Sequence, residues 1–192
     1  MRTVLKWVGL VLLTAAVLGT AAVNIYDDAN PQTIYRDTDA NGYPEKYELA
    51  HHHLRVYENN HLIWESPDDW NIRQINLADA DNDRRAELAM VLWKHGSYGE
   101  IKPFWYEGED DEYTCHLFLY RMRSGRLTAV WCSSALVNPI IEMTVKASGS
   151  NGTNELHVLE GPPTGFAWSV RQLFHRQETR WVWNSWGFER AD

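Results

Sequence analysis

The feature that most constrains the fold is a set of acidic residues at alternating positions between two apolar segments, within residues 75–93. Ile75 and Leu77 alternate with polar residues, and residues 88–93 form an apolar run, as expected for two strands. The segment between them contains four acidic residues: Asp79, Asp81, Asp83 and Glu87. Acids at positions 1, 3, 5 and 9 of a short loop suit a hard cation that prefers oxygen ligands. Because bare carboxylates would repel one another, the pattern predicts a calcium loop that closes a β-hairpin.

The same spacing occurs earlier in the chain and again later. In residues 37–45 the four ligand positions are held by Asp37, Asp39, Asn41 and Glu45. Gly42 follows the third ligand, where the loop needs a residue that tolerates positive φ, whereas Arg84 stands there in the second loop. In the third copy the equivalent positions hold Ala147, Gly149, Asn151 and Glu155. We therefore expect one or two structural calcium ions in the first two loops and no strong ion in the third.

A second predicted hairpin follows each of the three loops. Its closing strand carries the same Trp-x-Ser signature in each unit, beginning at Trp64, Trp131 and Trp183. The aromatic residues that pair with these tryptophans are Tyr57, Tyr120 and Phe174. Four antiparallel strands per repeat describe a propeller blade. The predicted fold is therefore all-β, with three four-stranded antiparallel propeller-like blades in a partial or small propeller, with repeats at about 34–70, 71–137 and 138–188. The recurrent tryptophans are expected to pack in the core.

Residues 1–23 differ from the rest of the chain. Arg2 and Lys6 precede an uncharged apolar run over residues 7–23. Small residues near its end, Thr20 and Ala22, suit cleavage by a signal peptidase, and its length is close to that of a membrane span. The segment is read as a signal peptide or an N-terminal membrane anchor, followed by a linker (24–33) and one domain (34–192). Either alternative makes the domain extracytoplasmic, secreted or anchored by its N-terminal segment.

The charge of the chain limits its partners. The formal net charge is −8, which argues against binding to nucleic acid or to an anionic membrane surface. Contact with a membrane is expected only through the N-terminal segment, if that segment is not cleaved. Bound cations would offset part of the negative charge.

Cys115 and Cys132 are the only cysteines, and both fall in one predicted hairpin. A turn centred on residues 124–125 places Cys132 opposite Leu117, with Cys115 one diagonal step away on the same face. That spacing is at the limit of disulfide geometry, whereas a turn shifted by one residue makes the cysteines direct partners. Export permits the bond, so a Cys115–Cys132 disulfide and two separate thiols are both open.

An insertion at about residues 95–114 lies outside the repeat. Its aromatic residues are Tyr98, Phe104, Trp105 and Tyr106. Long insertions on a repeat scaffold often bind ligands, and the alternative is that these rings cover an open blade edge. The adjacent acids Glu109, Asp110 and Asp111 offer paired carboxylates for acid–base chemistry. No catalytic constellation is recognised in the chain.

The loop sequences D-T-D-A-N-G-Y-P-E and D-A-D-N-D-R-R-A-E resemble the FG-GAP/VCBS repeats of integrin-type β-propellers and of many exported bacterial proteins. The resemblance implies a structural Ca²⁺ in each intact loop, held by the eight ligand residues named above. Propellers of that family usually have more than three blades, so pairing with a second copy is an option for closing a ring. The expected function is a non-enzymatic, calcium-stabilised extracytoplasmic module that binds a protein or polysaccharide or serves a structural role. The alternative is a hydrolase or lyase that acts on a cell-envelope polymer through the 95–114 insertion.

Overall fold

The computed structural model describes residues 31–98, 104–148, 152–162 and 176–191. These residues form twelve β-strands in three four-stranded antiparallel sheets. Blade 1 contains β1 (Gln32–Arg36), β2 (Glu45–Ala50), β3 (His53–Glu58) and β4 (His61–Glu65). Blade 2 contains β5 (Asn71–Ala78), β6 (Glu87–His95), β7 (Tyr113–Arg123) and β8 (Arg126–Cys132). Blade 3 contains β9 (Ile140–Ala147), β10 (Asn154–Glu160), β11 (Gln177–Asn184) and β12 (Gly187–Arg190).

Each blade is a simple meander in which consecutive strands are neighbours, and none of the three described sheets closes into a barrel. The predicted all-β class and the three four-stranded blades are therefore confirmed. The predictions for residues 1–23 and for Phe174 lie outside the described residues. The described segments contain no helix of the length and apolarity that crossing a membrane requires.

The three blades stack with blade 2 in the middle. Strands β6 and β7 are buried over almost their whole length, because alternate side chains enter two different cores. Core 1 joins blades 1 and 2 and includes Tyr47, Leu54, Met90 and Phe118. Core 2 joins blades 2 and 3 and includes Val91, Leu117, Met143 and Leu156. This central position explains why β6 and β7 have near-continuous apolar runs. In β2 (Glu45–Ala50), by contrast, buried and partly buried residues alternate.

Glutamine side chains join the first strands of neighbouring blades. Gln74 Nε2 donates a hydrogen bond to the carbonyl oxygen of Met143 at 2.6 Å, and the Met143 N–H donates to Gln74 Oε1 at 2.9 Å. Gln32 occupies the equivalent position in blade 1, and its Oε1 accepts from the Ile75 N–H at 3.4 Å. Both glutamines precede the first acidic ligand position of their blade by the same number of residues. Blades 1 and 2 therefore each make a contact to the next blade from the same strand position.

The Gln74→Ala substitution is expected to lower the free energy of unfolding by about 1–2 kcal/mol, because it leaves two partly buried backbone groups of β9 without their partner. Chemical denaturation monitored by tryptophan fluorescence measures this change. The matched control is Gln32→Ala, which removes one long hydrogen bond and is expected to have the smaller effect. Equal effects of the two substitutions would contradict the assignment of Gln74 as the stronger contact.

The closing strands of blades 1 and 2 are equivalent in detail. In each, a β-bulge interrupts the pairing with the third strand, at Val56/Tyr57 in blade 1 and at Leu119/Tyr120 in blade 2. The signature serine then fixes the end of the strand: Ser66 Oγ accepts from the Leu54 N–H at 3.1 Å, and Ser133 Oγ accepts from the Leu117 N–H at 3.0 Å. Trp64 packs on core 1 and Trp131 packs on core 2.

Blade 3 departs from the predicted order of strands. Trp183 packs on core 2, as expected, but it lies on β11, the third strand of its blade, whereas the signature was predicted to close the unit. The reason is a tight turn directly after the signature: Asn184 pairs with Gly187, and Ser185 adopts a positive φ of 41°. The chain reverses there and adds β12, whose Phe188 packs against the Trp183 ring at 5.2 Å between ring centroids.

No disulfide joins the two cysteines, which both lie in described segments, so the disulfide alternative is wrong. The β-bulge in blade 2 is the reason. It shifts the register so that Cys132 lies opposite Phe118, and not opposite Leu117 as predicted. Phe118 and Cys132 face core 1, whereas Cys115 is buried in core 2. The two sulfur atoms are therefore on opposite faces of the sheet.

Candidate metal centre

The first acidic loop, residues 37–45 (loop 1), connects β1 to β2. Carboxylate oxygens of Asp37, Asp39 and Glu45 lie within 4.8 Å of one another, close enough to hold a metal ion. Backbone N–H groups of the loop shape the cluster: the Gly42 N–H donates to Asp37 Oδ2 at 2.9 Å, and the Asn41 N–H donates to Asp37 Oδ1 at 3.1 Å. The side-chain oxygen of Asn41, the remaining predicted ligand, accepts from the N–H of Tyr43 at 2.8 Å.

Glu45 is the buried end of this cluster, with 0% of its surface exposed. Its Oε2 atom accepts hydrogen bonds from the N–H and the hydroxyl of Thr38, both at 2.8 Å. Its Oε1 atom is buried and has no hydrogen-bond partner among the described residues. A buried carboxylate oxygen without a partner is costly, and a cation held by loop 1 would offset that cost.

The second acidic loop, residues 79–87 (loop 2), connects β5 to β6 with the same geometry. Asp79, Asp81 and Glu87 also lie within 4.8 Å of one another. Glu87 Oε2 accepts from the Ala80 N–H at 2.8 Å, so it is held as Glu45 is in loop 1. Both loops therefore form acidic groups that could hold a metal ion.

Loop 2 differs because an arginine of its own blade lies among the carboxylates. The Arg121 side chain, on β7, is only 6% exposed. Its guanidinium bonds Asp81 Oδ2 at 2.8 Å and Asp83 Oδ2 at 2.7 Å. Its Nε donates to Glu87 Oε1 at 2.9 Å, and its Nη2 bonds the same oxygen. The glutamate oxygen that lacks a partner in loop 1 thus has an arginine partner in loop 2.

The equivalent residue in blade 1 has the opposite charge. Tyr57 pairs with Lys46 in blade 1, and Tyr120 pairs with Leu88 in blade 2. The next residue is Glu58 in blade 1 and Arg121 in blade 2. Glu58 Oε1 accepts from the Asn41 side-chain N–H at 2.7 Å. Blade 1 therefore adds a fourth carboxylate beside its loop, whereas blade 2 adds a cation. The sequence analysis did not identify Glu58 or Arg121 as part of the site. Each of them directly follows one of the tyrosines, Tyr57 and Tyr120, that occupy equivalent positions in the first two units.

Burial and charge set the protonation of the buried group in loop 2. Burial raises the pKa of Glu87 and of Asp81, and the neighbouring guanidinium opposes that rise. Burial lowers the pKa of Arg121, but hydrogen bonding to Glu87 and the nearby carboxylates raise it overall. Arg121 is therefore positively charged at neutral pH, and its charge partly offsets the rise that burial causes in the pKa of the two acids.

The structure describes only part of the third loop, for which we expect no strong ion. Gly149 and Asn151 lie outside the described residues. Glu155 lies 3.6 Å from Arg180. The neighbouring Asn154 supports loop 2 instead: its side-chain N–H donates to the carbonyl oxygen of Asp79 at 2.7 Å.

The insertion after β6 presents aromatic rings to solvent. Phe104 is 94% exposed and Trp105 is 70% exposed, and their ring centroids are 5.0 Å apart. Tyr98 and Tyr106 are partly buried and pack edge to face at 5.2 Å. The predicted ligand-binding aromatics therefore form two pairs, one of which is exposed.

The acids of the insertion do not converge on a site in the described residues. Glu109 and Asp111 are exposed. Asp110 has a local structural contact, since its Oδ1 accepts from the Ser97 N–H at 2.6 Å.

The fold and site define a class: an all-β protein of three stacked four-stranded blades with acidic loops at the β1–β2 and β5–β6 connections. Comparison with protein-family models, curated proteins and solved structures found no match for this chain.

Proposed function

We propose that this protein is a non-enzymatic, calcium-stabilised extracytoplasmic module of FG-GAP/VCBS type, with a binding or structural role toward a protein or polysaccharide. Calcium binds in loop 1, between Asp37, Asp39 and Glu45. The observation that carries this proposal is the buried Glu45 oxygen that has no partner among the described residues. The resemblance of the loop to FG-GAP/VCBS repeats agrees with the same assignment.

Calcium suits loop 1 because all its side-chain donors are oxygen atoms and the ion takes six to eight such ligands in flexible geometry. Glu58 adds a nearby negative charge. The bound ion would link β1 to β2 at one end of blade 1 and leave blade 1 rigid for partner binding. In loop 2, Asp79 Oδ1 is also buried without a partner among the described residues, but Arg121 serves there as the internal cation, so one calcium per chain is expected.

Isothermal titration calorimetry with CaCl₂ tests this assignment. The wild-type protein is expected to bind one ion with a dissociation constant on the order of 0.1–1 mM, as extracellular modules do. Asp37→Asn is expected to weaken binding about tenfold or more, because it removes one charged ligand. The matched control is Asp79→Asn at the equivalent position of loop 2, which is expected to leave calcium affinity unchanged. Absence of binding, or equal losses in the two variants, would contradict the proposal.

A further inference from the structure

A cleft of about 620 Å³ lies between loop 1 and the elements of blade 2 that face it. Five arginines line it: Arg36, Arg84, Arg85, Arg121 and Arg123. The whole chain has 18 lysines and arginines and a net charge of −8. The cleft, which we call the arginine cleft, is therefore a local concentration of positive charge on an acidic protein. Its volume is in the range of sites that hold small ligands.

Three of these arginines have no other role in the described structure. Arg121 is held by the acids of loop 2, and Arg36 Nη1 donates to the carbonyl oxygen of Leu77 at 2.8 Å. Arg84, Arg85 and Arg123 are exposed, and their guanidinium groups have no hydrogen-bond or ion-pair partner among the residues that the structure describes.

The opposite wall of the cleft carries negative charge. Asp37 and Asp39 line it there. The Gly125 N–H donates to Asp39 Oδ2 at 3.3 Å, which ties the β7–β8 turn to loop 1. Among the lining residues other than Arg121, which pairs with the acids of loop 2, four arginines face these two carboxylates.

Arg84 occupies a position that favours glycine. Its φ is +72°, in the left-handed region, and Gly42 at the equivalent position of loop 1 has a φ of +89°. A left-handed conformation is strained for a residue with a β-carbon. Local backbone preference therefore argues against arginine here. Arg84 lines the cleft despite that cost.

We propose that the arginine cleft binds a multivalent oxyanion, a molecule that carries two or more carboxylate or phosphate groups. Arg84, Arg85 and Arg123 supply planar guanidinium groups whose paired N–H donors match both kinds of oxyanion. A ligand with several anionic groups would form ion pairs with Arg84 and Arg85 of loop 2 and with Arg123 of the β7–β8 hairpin at the same time. The cleft shares Asp37 and Asp39 with the proposed calcium site of loop 1, but anion binding does not require the ion.

Titration calorimetry in calcium-free, low-salt buffer tests the proposal with three probes: hexagalacturonate, tripolyphosphate and neutral cellohexaose. The wild-type protein is expected to bind one or both anions with a dissociation constant on the order of 0.1 mM, with binding that weakens as salt is added. Binding of hexagalacturonate alone identifies a carboxylated ligand, and binding of tripolyphosphate alone identifies a phosphorylated one. Cellohexaose is expected not to bind.

The variants Arg84→Gly and Arg123→Ala are each expected to weaken anion binding about tenfold. Arg84→Gly is the sharper test because it relieves the left-handed strain, so its thermal stability is expected to be unchanged or higher while binding is lost. Arg126→Ala is the matched control, since Arg126 is exposed on the same hairpin and does not line the cleft. Failure of both anions to bind, equal binding of cellohexaose, or wild-type affinity in both cleft variants would overturn the proposal.

Discussion

Replacing Arg121 with alanine is expected to lower the free energy of unfolding by about 3–5 kcal/mol, because removing one partner of a buried ion pair leaves uncompensated charge. Asp81, Asp83 and Glu87 would then lose their shared cation. For a domain of this size the loss corresponds to roughly 10 °C in melting temperature. Differential scanning calorimetry in calcium-free buffer measures it.

Calcium is expected to restore part of the stability of Arg121→Ala, since the substitution leaves the carboxylates of loop 2 without an internal cation, as in loop 1. Titration of this variant should then show two calcium ions per chain where the wild type shows one. Arg126→Ala serves as the control for loss of an exposed arginine and is expected to change stability by less than about 0.5 kcal/mol. A wild-type melting temperature for Arg121→Ala would show that the guanidinium does not hold loop 2 together.

The reciprocal substitution, Glu58→Arg, is expected to abolish the calcium response of the protein. It places a guanidinium beside Glu45 in the position that Arg121 holds beside Glu87. At a calcium concentration of 100 times the dissociation constant, the wild type is expected to gain about 2.7 kcal/mol from the bound ion. Glu58→Arg should lose that gain and be more stable than wild type when calcium is absent. Thermal melts with CaCl₂ and with chelator measure both effects.

Glu58→Gln is the matched control for this exchange. It removes the negative charge but keeps an oxygen atom that can accept the hydrogen bond from Asn41. A weakened calcium shift is expected for Glu58→Gln, and no shift for Glu58→Arg. If Glu58→Arg retained the full shift, the equivalence of positions 58 and 121 would be wrong.

The sequence predicted the repeat and the loops because both are local patterns. Alternating acids over nine residues and strands of period two need no knowledge of the rest of the chain. The stacked blades follow from the same patterns, since each blade buries its apolar faces against its neighbours. The grouping of three acidic side chains in each loop is therefore the part of the site that the sequence predicted correctly.

The role of Arg121 and the separation of the two cysteines could not be predicted, because both depend on the register of the strands. Arg121 lies 34 residues from Glu87 along the chain, and the insertion separates them. The Cys115–Cys132 hypothesis failed for a similar reason, because one extra residue in the β7–β8 bulge moves Cys132 to the other face. A bulge leaves no clear trace in local hydrophobic alternation, so the face of every residue after it is misassigned.

The glutamine contacts run one way through the stack: the glutamine of each first strand bonds the first strand of the next blade. Gln32 reaches β5 and Gln74 reaches β9, each with an amide that offers both a donor and an acceptor. At the equivalent position of β9 stands Glu142. An ionised carboxylate accepts hydrogen bonds but donates none, so blade 3 presents a surface that cannot repeat the two-way contact made by Gln74. A further sheet that packed against β9 would therefore need contacts other than the glutamine hydrogen bonds that join blade 1 to blade 2 and blade 2 to blade 3.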